Sequence, residues 1–274
     1  MAKRNPLPLL VASAKRSVWR MNDHAGEADK AFQVVRKSIL LANDYTCLYC
    51  GHRSEKYQEV HHRNDDHSNN ATENLDTSCP LCHQVFHLGL AGMLDGADII
   101  YAPEFAQEEI NQLALITWLI DDDNRAVFRD ANESIAFDKL SSKAKSISAL
   151  MEGRRGTVLL RLKKLLKVNS SFPEERLEDI KMTHVSPLLI SNVLMSLDDK
   201  TNAQRQSLLG GLRIWPKPIR FRKQIEHWRA ETSAVLPVPV WFNILPEESV
   251  IQIVTTCKAR LDDLMVQADS GEPE

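Results

Sequence analysis

No apolar run in the chain reaches the roughly eighteen residues that a membrane-spanning helix needs, so no direct membrane insertion is expected. An excess of charge of one sign is also missing. The 34 Lys and Arg face 37 Asp and Glu, a net charge of −3. That balance gives no compositional sign of a nucleic-acid or anionic-membrane binder. Cysteine is scarce: of five, four stand at positions 47, 50, 79 and 82, and Cys257 is left over at a core position of an expected helix. This is no disulfide scaffold, and it fits a reducing cytoplasm. Residues 6–14 follow Lys3 and Arg4 much as a signal peptide would, but the run is short, broken by proline and followed by Lys15 and Arg16. Secretion is therefore not expected. No internal repeat is present. The length of 274 residues, 43% apolar and 26% charged, allows one large or two modest globular domains.

What is present concentrates in residues 47–87. Two Cys-x-x-Cys knuckles, Cys47/Cys50 and Cys79/Cys82, flank residues 51–78. One knuckle brings two thiolates to a metal ion from a tight turn. Two complete a tetrahedral four-sulfur shell, the usual closed site of structural zinc. A redox pair needs only one. His61 and His62 are adjacent and follow an expected strand over residues 56–60. Neighbouring strand residues face opposite ways, so one imidazole can hold a cation while the other does different work. Pro80 suits the first turn of a helix, with Cys79 just before it. A helix over 79–90 would set His83 and His87 one turn apart on one face, a spacing that suits two ligands of one cation. The Asn74 side chain can tie down a loop by bonding backbone groups. His52 and His67 read as surface or satisfied core residues.

The pattern CxxC…HH…N…CxxCHxxxH resembles the core of HNH, or ββα-metal, nucleases. That resemblance implies a hairpin carrying the adjacent histidines, a helix carrying the later ones, and a divalent cation, Mg²⁺ or another, between them. By position, His62 matches the general base that activates water. His61 and His83 match ligands of the cation, and His87 a further ligand or phosphate contact. Asn74 matches the residue that fixes the loop and orients the base. The four cysteines match the structural Zn²⁺ of many members. Histidine titrates near neutral pH, and a cation stabilises charge on a scissile phosphate. Residues 44–90 hold only Arg53, Lys56 and Arg63 against Asp44, Glu55, Glu59, Asp65, Asp66, Glu73 and Asp76. Binding DNA would need phosphate contacts from elsewhere. Two basic stretches, 154–167 and 213–229, are candidates, although a solvated helix face or an acidic protein partner explains each as well.

Taken in order, the expected architecture is α+β, mostly α. An irregular segment over 1–26, with Trp19 as an anchor, precedes the HNH-like zinc module of 27–100. A helical C-terminal region over 101–268 and a disordered acidic tail over 269–274 follow. Helices are expected at 27–42, from Glu104 to about residue 120, at 133–151, 157–168, 186–197, 218–232 and 246–266. An extended linker is expected over 234–241.

The order of SVWR, ADKAFQVVRKSIL, DYTCLYCG, NNATENLDTSCPLC, IIYAPEFAQEEINQL and RFRKQIEHW resembles the IcmJ/DotN family, over most of residues 15–230. These are cytoplasmic components of type IVB secretion systems and related conjugation machines. The resemblance implies a zinc-binding, HNH-fold subunit of a coupling complex at the inner-membrane apparatus. Its partners would be the coupling ATPase and other secretion or conjugation subunits. In the secretion branch the nuclease histidines are largely replaced, whereas His61, His62, Asn74, His83 and His87 are all present in this sequence. That departure points to the conjugation branch, whose cargo is DNA, and keeps open an active metal-dependent HNH endonuclease with His62 as general base.

Overall fold

The computed structural model describes residue 7 and residues 25–64, 66, 68–120, 131–169 and 185–235. The expected segment around Trp19, His67, the linker beyond residue 235, the helix over 246–266 with Cys257, and the acidic tail lie outside the described residues.

Helix α1, Ala25–Ala42, carries Phe32, Val35 and Ile39 at helical spacing. This stripe packs on Val60 and Leu75 of the first strand pair. Strands β1, Glu59–His62, and β2, Leu75–Ser78, are antiparallel, with Glu59 opposite Ser78 and His62 opposite Leu75. β1 begins later than the sequence pattern indicates. Tyr57 takes φ 69°, a left-handed turn that a strand does not accommodate. The strand therefore contains both adjacent histidines.

Helix α2, Pro80–Phe86, follows β2, with Cys79 at its N-cap and Pro80 at its first position. The single helix expected over 79–90 is in fact two. The His87 N–H turns to the Gln84 carbonyl, three residues back, and tightens the last turn. His87 takes φ −123° and ψ 58°, and α3, Leu88–Met93, restarts beyond it.

A second antiparallel pair joins β3, Ala97–Tyr101, to β4, Leu212–Pro216, with Ala97 opposite Pro216 and Tyr101 opposite Leu212. All residues of both strands are buried. This pair corrects the expectation of a wholly helical region after residue 100. The charge that disguised β4 is Arg213, whose buried guanidinium donates to the carbonyls of Phe105, Gly210 and Leu212. A buried cation is tolerated when its donors are satisfied in this way.

The remaining elements are α4, Gln107–Leu119, α5, Ala131–Gly153, α6, Gly156–Val168, α7, Pro187–Ser196, α8, Asp199–Leu209, and α9, Arg222–Val235. α4 starts after its expected position at Glu104, where the Glu109 carboxylate accepts from the Ala106 N–H at 2.7 Å. Ser186 caps α7 by accepting from the Leu189 N–H. A 3-10 turn, Pro218–Phe221, precedes α9, and α9 runs one residue past the expected linker start at 234. The architecture is mixed α+β and mostly helical. One continuous core holds Cys47, Cys50, Cys79 and Cys82 together with Ile99, Ile110, Leu162, Leu194, Ile214 and Trp228. Among the described residues, no helix is long and apolar enough to cross a membrane.

Candidate metal centres

The first centre is built from two turns. Residues 46–53 fold back on themselves, with Thr46 bridged to Arg53. The Cys47 N–H bonds the His52 carbonyl at 2.9 Å, and Gly51 takes φ 79°. The turn carries Cys47 and Cys50. The second knuckle is the start of α2. All four cysteines are buried and unpaired by disulfide, and their sulfurs all lie within 4.8 Å of one another. Hydrogen bonds from Cys50, Cys79 and Cys82 pull the Cys47 thiol far below the ordinary range. Burial and the neighbouring sulfurs push Cys79 and Cys82 far up. A dipositive ion bound among them would favour the thiolate form of its sulfur ligands. Four buried sulfurs with tetrahedral reach fit a soft metal ion such as zinc.

The surroundings hold this cluster in place. Asn111 of α4 donates to the Leu81 carbonyl and to the Cys82 sulfur, both at 3.3 Å. Its neighbour Gln112 donates to the Cys50 carbonyl at 2.6 Å. Tyr49, between the first two cysteines, donates to the buried Asp76 carboxylate at 2.7 Å, and Arg63 clasps that carboxylate at 2.6 and 2.8 Å. Burial and Asp76 push the Tyr49 phenol well up, so it stays a donor. His52 stacks edge-on against Trp228 of α9 with centroids 4.9 Å apart, and burial lowers its pKa.

The second centre is formed by His61, His83 and His87, each offering one ring nitrogen, all within 4.8 Å of one another. The break after Phe86 does not part His83 from His87, whose centroids are 4.8 Å apart. His61 reaches them from β1 and lies flat on Phe86, at 3.7 Å between centroids and 22°. Glu59, two residues before His61 and on the same strand face, binds Nδ1 of His83 through its carboxylate. Nε2 of His83 is then the nitrogen left for a metal. Three imidazoles with one carboxylate behind them suit a borderline divalent cation with open positions for water or substrate.

His62 faces away from this cluster. Its ring packs on Phe32 of α1 at 5.1 Å, its Nε2 lies 3.0 Å from the Asn70 side-chain oxygen, and it is only 4% exposed. Asn74 spans the loop between the strands. Its oxygen accepts from the Asn64 N–H at 3.1 Å and its amide donates to the Asn69 carbonyl at 2.9 Å.

The structure thus brings together the four cysteines and, separately, His61, His83 and His87. It sets His62 and Asn74 at the loop on the other face of the hairpin. Sequence reading passed over Glu59, Asn70, Asn111 and Gln112. For Glu59 the signal was available, since a carboxylate two residues from a ligand on a strand shares its face. For the other three, no local pattern marks the contact.

No family model matches the chain. The chain is similar to the type 4 apparatus protein DotN of Legionella pneumophila, at 25% identity over 214 residues, which cover 77% of this chain and 85% of that protein. A distant similarity of this extent supports the resemblance to the IcmJ/DotN family that the sequence motifs carry.

Proposed function

We propose that this protein is a zinc-stabilised subunit of a type IVB secretion or conjugation apparatus, working in the cytoplasm and docking on the coupling ATPase at the inner membrane. The observation that carries this reading is the similarity to a type 4 apparatus protein over most of both chains. The four-cysteine cluster supports it, because buried thiolates around one ion fix a small module without enzymatic chemistry. Co-purification with the tagged coupling ATPase of the same apparatus tests it. Stoichiometric recovery is expected for the wild type and for His62→Ala, but not for Cys47→Ser. Wild-type protein absent from the purified complex would count heavily against the reading.

The histidine cluster favours a second activity, a metal-dependent HNH endonuclease. A scaffold has no need of three imidazoles converging from a strand and a helix. The antiparallel pair β1–β2 followed by α2 is the order of a ββα-metal core. In this reading His61, His83 and His87 hold the divalent cation, which would stabilise charge on the phosphate and leaving oxygen. His62 takes the proton of the attacking water, and Asn74 holds the loop beside it. His62 must then exchange its Asn70 contact for water, because its ring is buried in the structure. A plasmid-nicking assay on zinc-loaded protein with Mg²⁺, Mn²⁺ and Ni²⁺ in turn addresses this. Nicking that disappears in folded His62→Ala and His83→Ala supports it. Absence of nicking in the presence of the coupling ATPase removes it.

A further inference from the structure

The histidine cluster opens on a cavity that the C-terminal region helps to build. His83 and His87 form one wall, and Glu59, Gln84, Arg220 and Gln224 form others, around a volume of about 110 Å³. That space is several times what one water needs and admits a tetrahedral oxyanion.

The polar groups around it include the Arg220 guanidinium and the Gln84 and Gln224 amides, all able to donate. Gln84 sits in α2 between the two histidines. Its side-chain nitrogen is buried with no hydrogen-bond partner, a condition that native structures seldom leave unexplained, and it donates into the cavity once the amide turns. Arg220 enters from the 3-10 turn before α9. The turn is pinned by buried Phe221, stacked on Trp118 with centroids 5.6 Å apart. Gly96 lies against both side chains. A Cβ there would come within 3.0 Å of the Gln84 oxygen and 3.7 Å of the Arg220 stem. The carboxylate in the lining, Glu59, is already engaged by His83.

Several of the other basic residues in the two stretches spend their charge elsewhere, and Arg220 lines the cavity itself. Arg154 is buried on Glu104, and Arg155 and Lys217 hold Asp98. Arg213 and Arg229 donate to backbone carbonyls. Among the described residues Arg220 makes no ion pair. A planar guanidinium beside a cation site matches the paired oxygens of a phosphate.

We propose that this cavity is a phosphodiester subsite, in which Gln84 and Arg220 donate to the non-bridging oxygens of a nucleic-acid phosphate placed at the histidine cluster. The proposal rests on the nuclease reading above and adds to it the role of the C-terminal region. The missing positive charge of the module is then supplied by one arginine from 120 or more positions further along the chain, carried in by the β3–β4 pair.

The test uses the full zinc-loaded chain and two readouts besides cleavage. Calorimetric titration with Ni²⁺ reports the second cation site. Fluorescence anisotropy of a labelled 20-base-pair duplex, over a range of salt, reports phosphate contacts. Wild type is expected to take up a second ion and bind the duplex. Arg220→Ala should weaken duplex binding by about tenfold or more and lower the salt slope by about one, with Ni²⁺ affinity kept. Arg220→Lys should restore the slope, and Gln84→Leu should weaken binding with the slope unchanged. The Arg220 effect should vanish in a His83→Ala background, because the two would act on the same phosphate. Uptake of Ni²⁺ with duplex binding that is indifferent to both variants would overturn the subsite and leave the nuclease reading intact, whereas no duplex binding at all would count against both. Failure to take up a second ion would overturn both.

Discussion

Glu59 and His61 stand two positions apart in β1, so their side chains leave the same face toward α2. One offers a ring nitrogen to the cluster, while the other grips Nδ1 of His83. A carboxylate behind a ligating histidine fixes its tautomer, aims the opposite nitrogen and raises its basicity. Glu59→Gln keeps the shape and removes the charge. It is expected to lower Ni²⁺ affinity at the histidine cluster by roughly 10- to 100-fold, with metal at the cysteines retained. Titration of zinc-loaded wild type and variant decides this, and equal affinities would show that Glu59 is only a surface partner of His83. The residues legible in the sequence were those whose chemistry demands a local spacing. Cys47 and Cys50 must be three apart to share an ion, as must Cys79 and Cys82. Asn111, which approaches the Cys82 sulfur from α4, obeys no such rule. Its place follows from which helix packs on which, and this is a property of the whole fold.

At the scale of elements, helices announced themselves through periodicity and caps, whereas β3 and β4 did not. Both strands are buried on both faces. They therefore lack the alternation of a half-exposed strand, and a short apolar run is ambiguous between helix and strand. The basic residues around β4 added to the confusion, because Arg213 spends its charge inside on carbonyls. The contact of α3 with α7 was equally hidden. It hinges on Gly92, where a Cβ would fall 2.2 Å from the Leu188 backbone nitrogen. Backbone cannot move aside as a flexible side chain does. Gly92→Ala should therefore cost about 1–3 kcal/mol through overpacking, despite the better helix propensity of alanine. Urea denaturation of the two proteins measures it. A stability equal to or above wild type would show that α7 yields freely, and that the close approach is no constraint.

The molecule as a whole is tied by a strand pair far apart in sequence. β3 comes from the end of the metal-bearing segment, and its partner β4 follows, among the described residues, five later helices. The cysteine sulfurs lie in the same apolar cluster as Ile214 and Trp228. His52 of the first knuckle turn touches Trp228, and Gln112 of α4 holds the Cys50 carbonyl. A segment cut at residue 100 would keep the four cluster cysteines and every cluster histidine, yet expose Ile99 and Ile100. Each contributes about 1.5–3 kcal/mol by burial, and the strand would be left as an open apolar edge. Residues 25–100 alone, supplied with zinc, should therefore show no cooperative thermal transition, whereas residues 25–235 should melt as one unit. Removing zinc from the longer chain with a chelator should also abolish the fixed environment of Trp118 and Trp228, seen in tryptophan fluorescence, because a structural metal contributes folding free energy to the core that surrounds it. A sharp, zinc-dependent melt of residues 25–100 by themselves would instead mean that the metal module carries its own core, and that the β3–β4 pair joins two units able to fold apart.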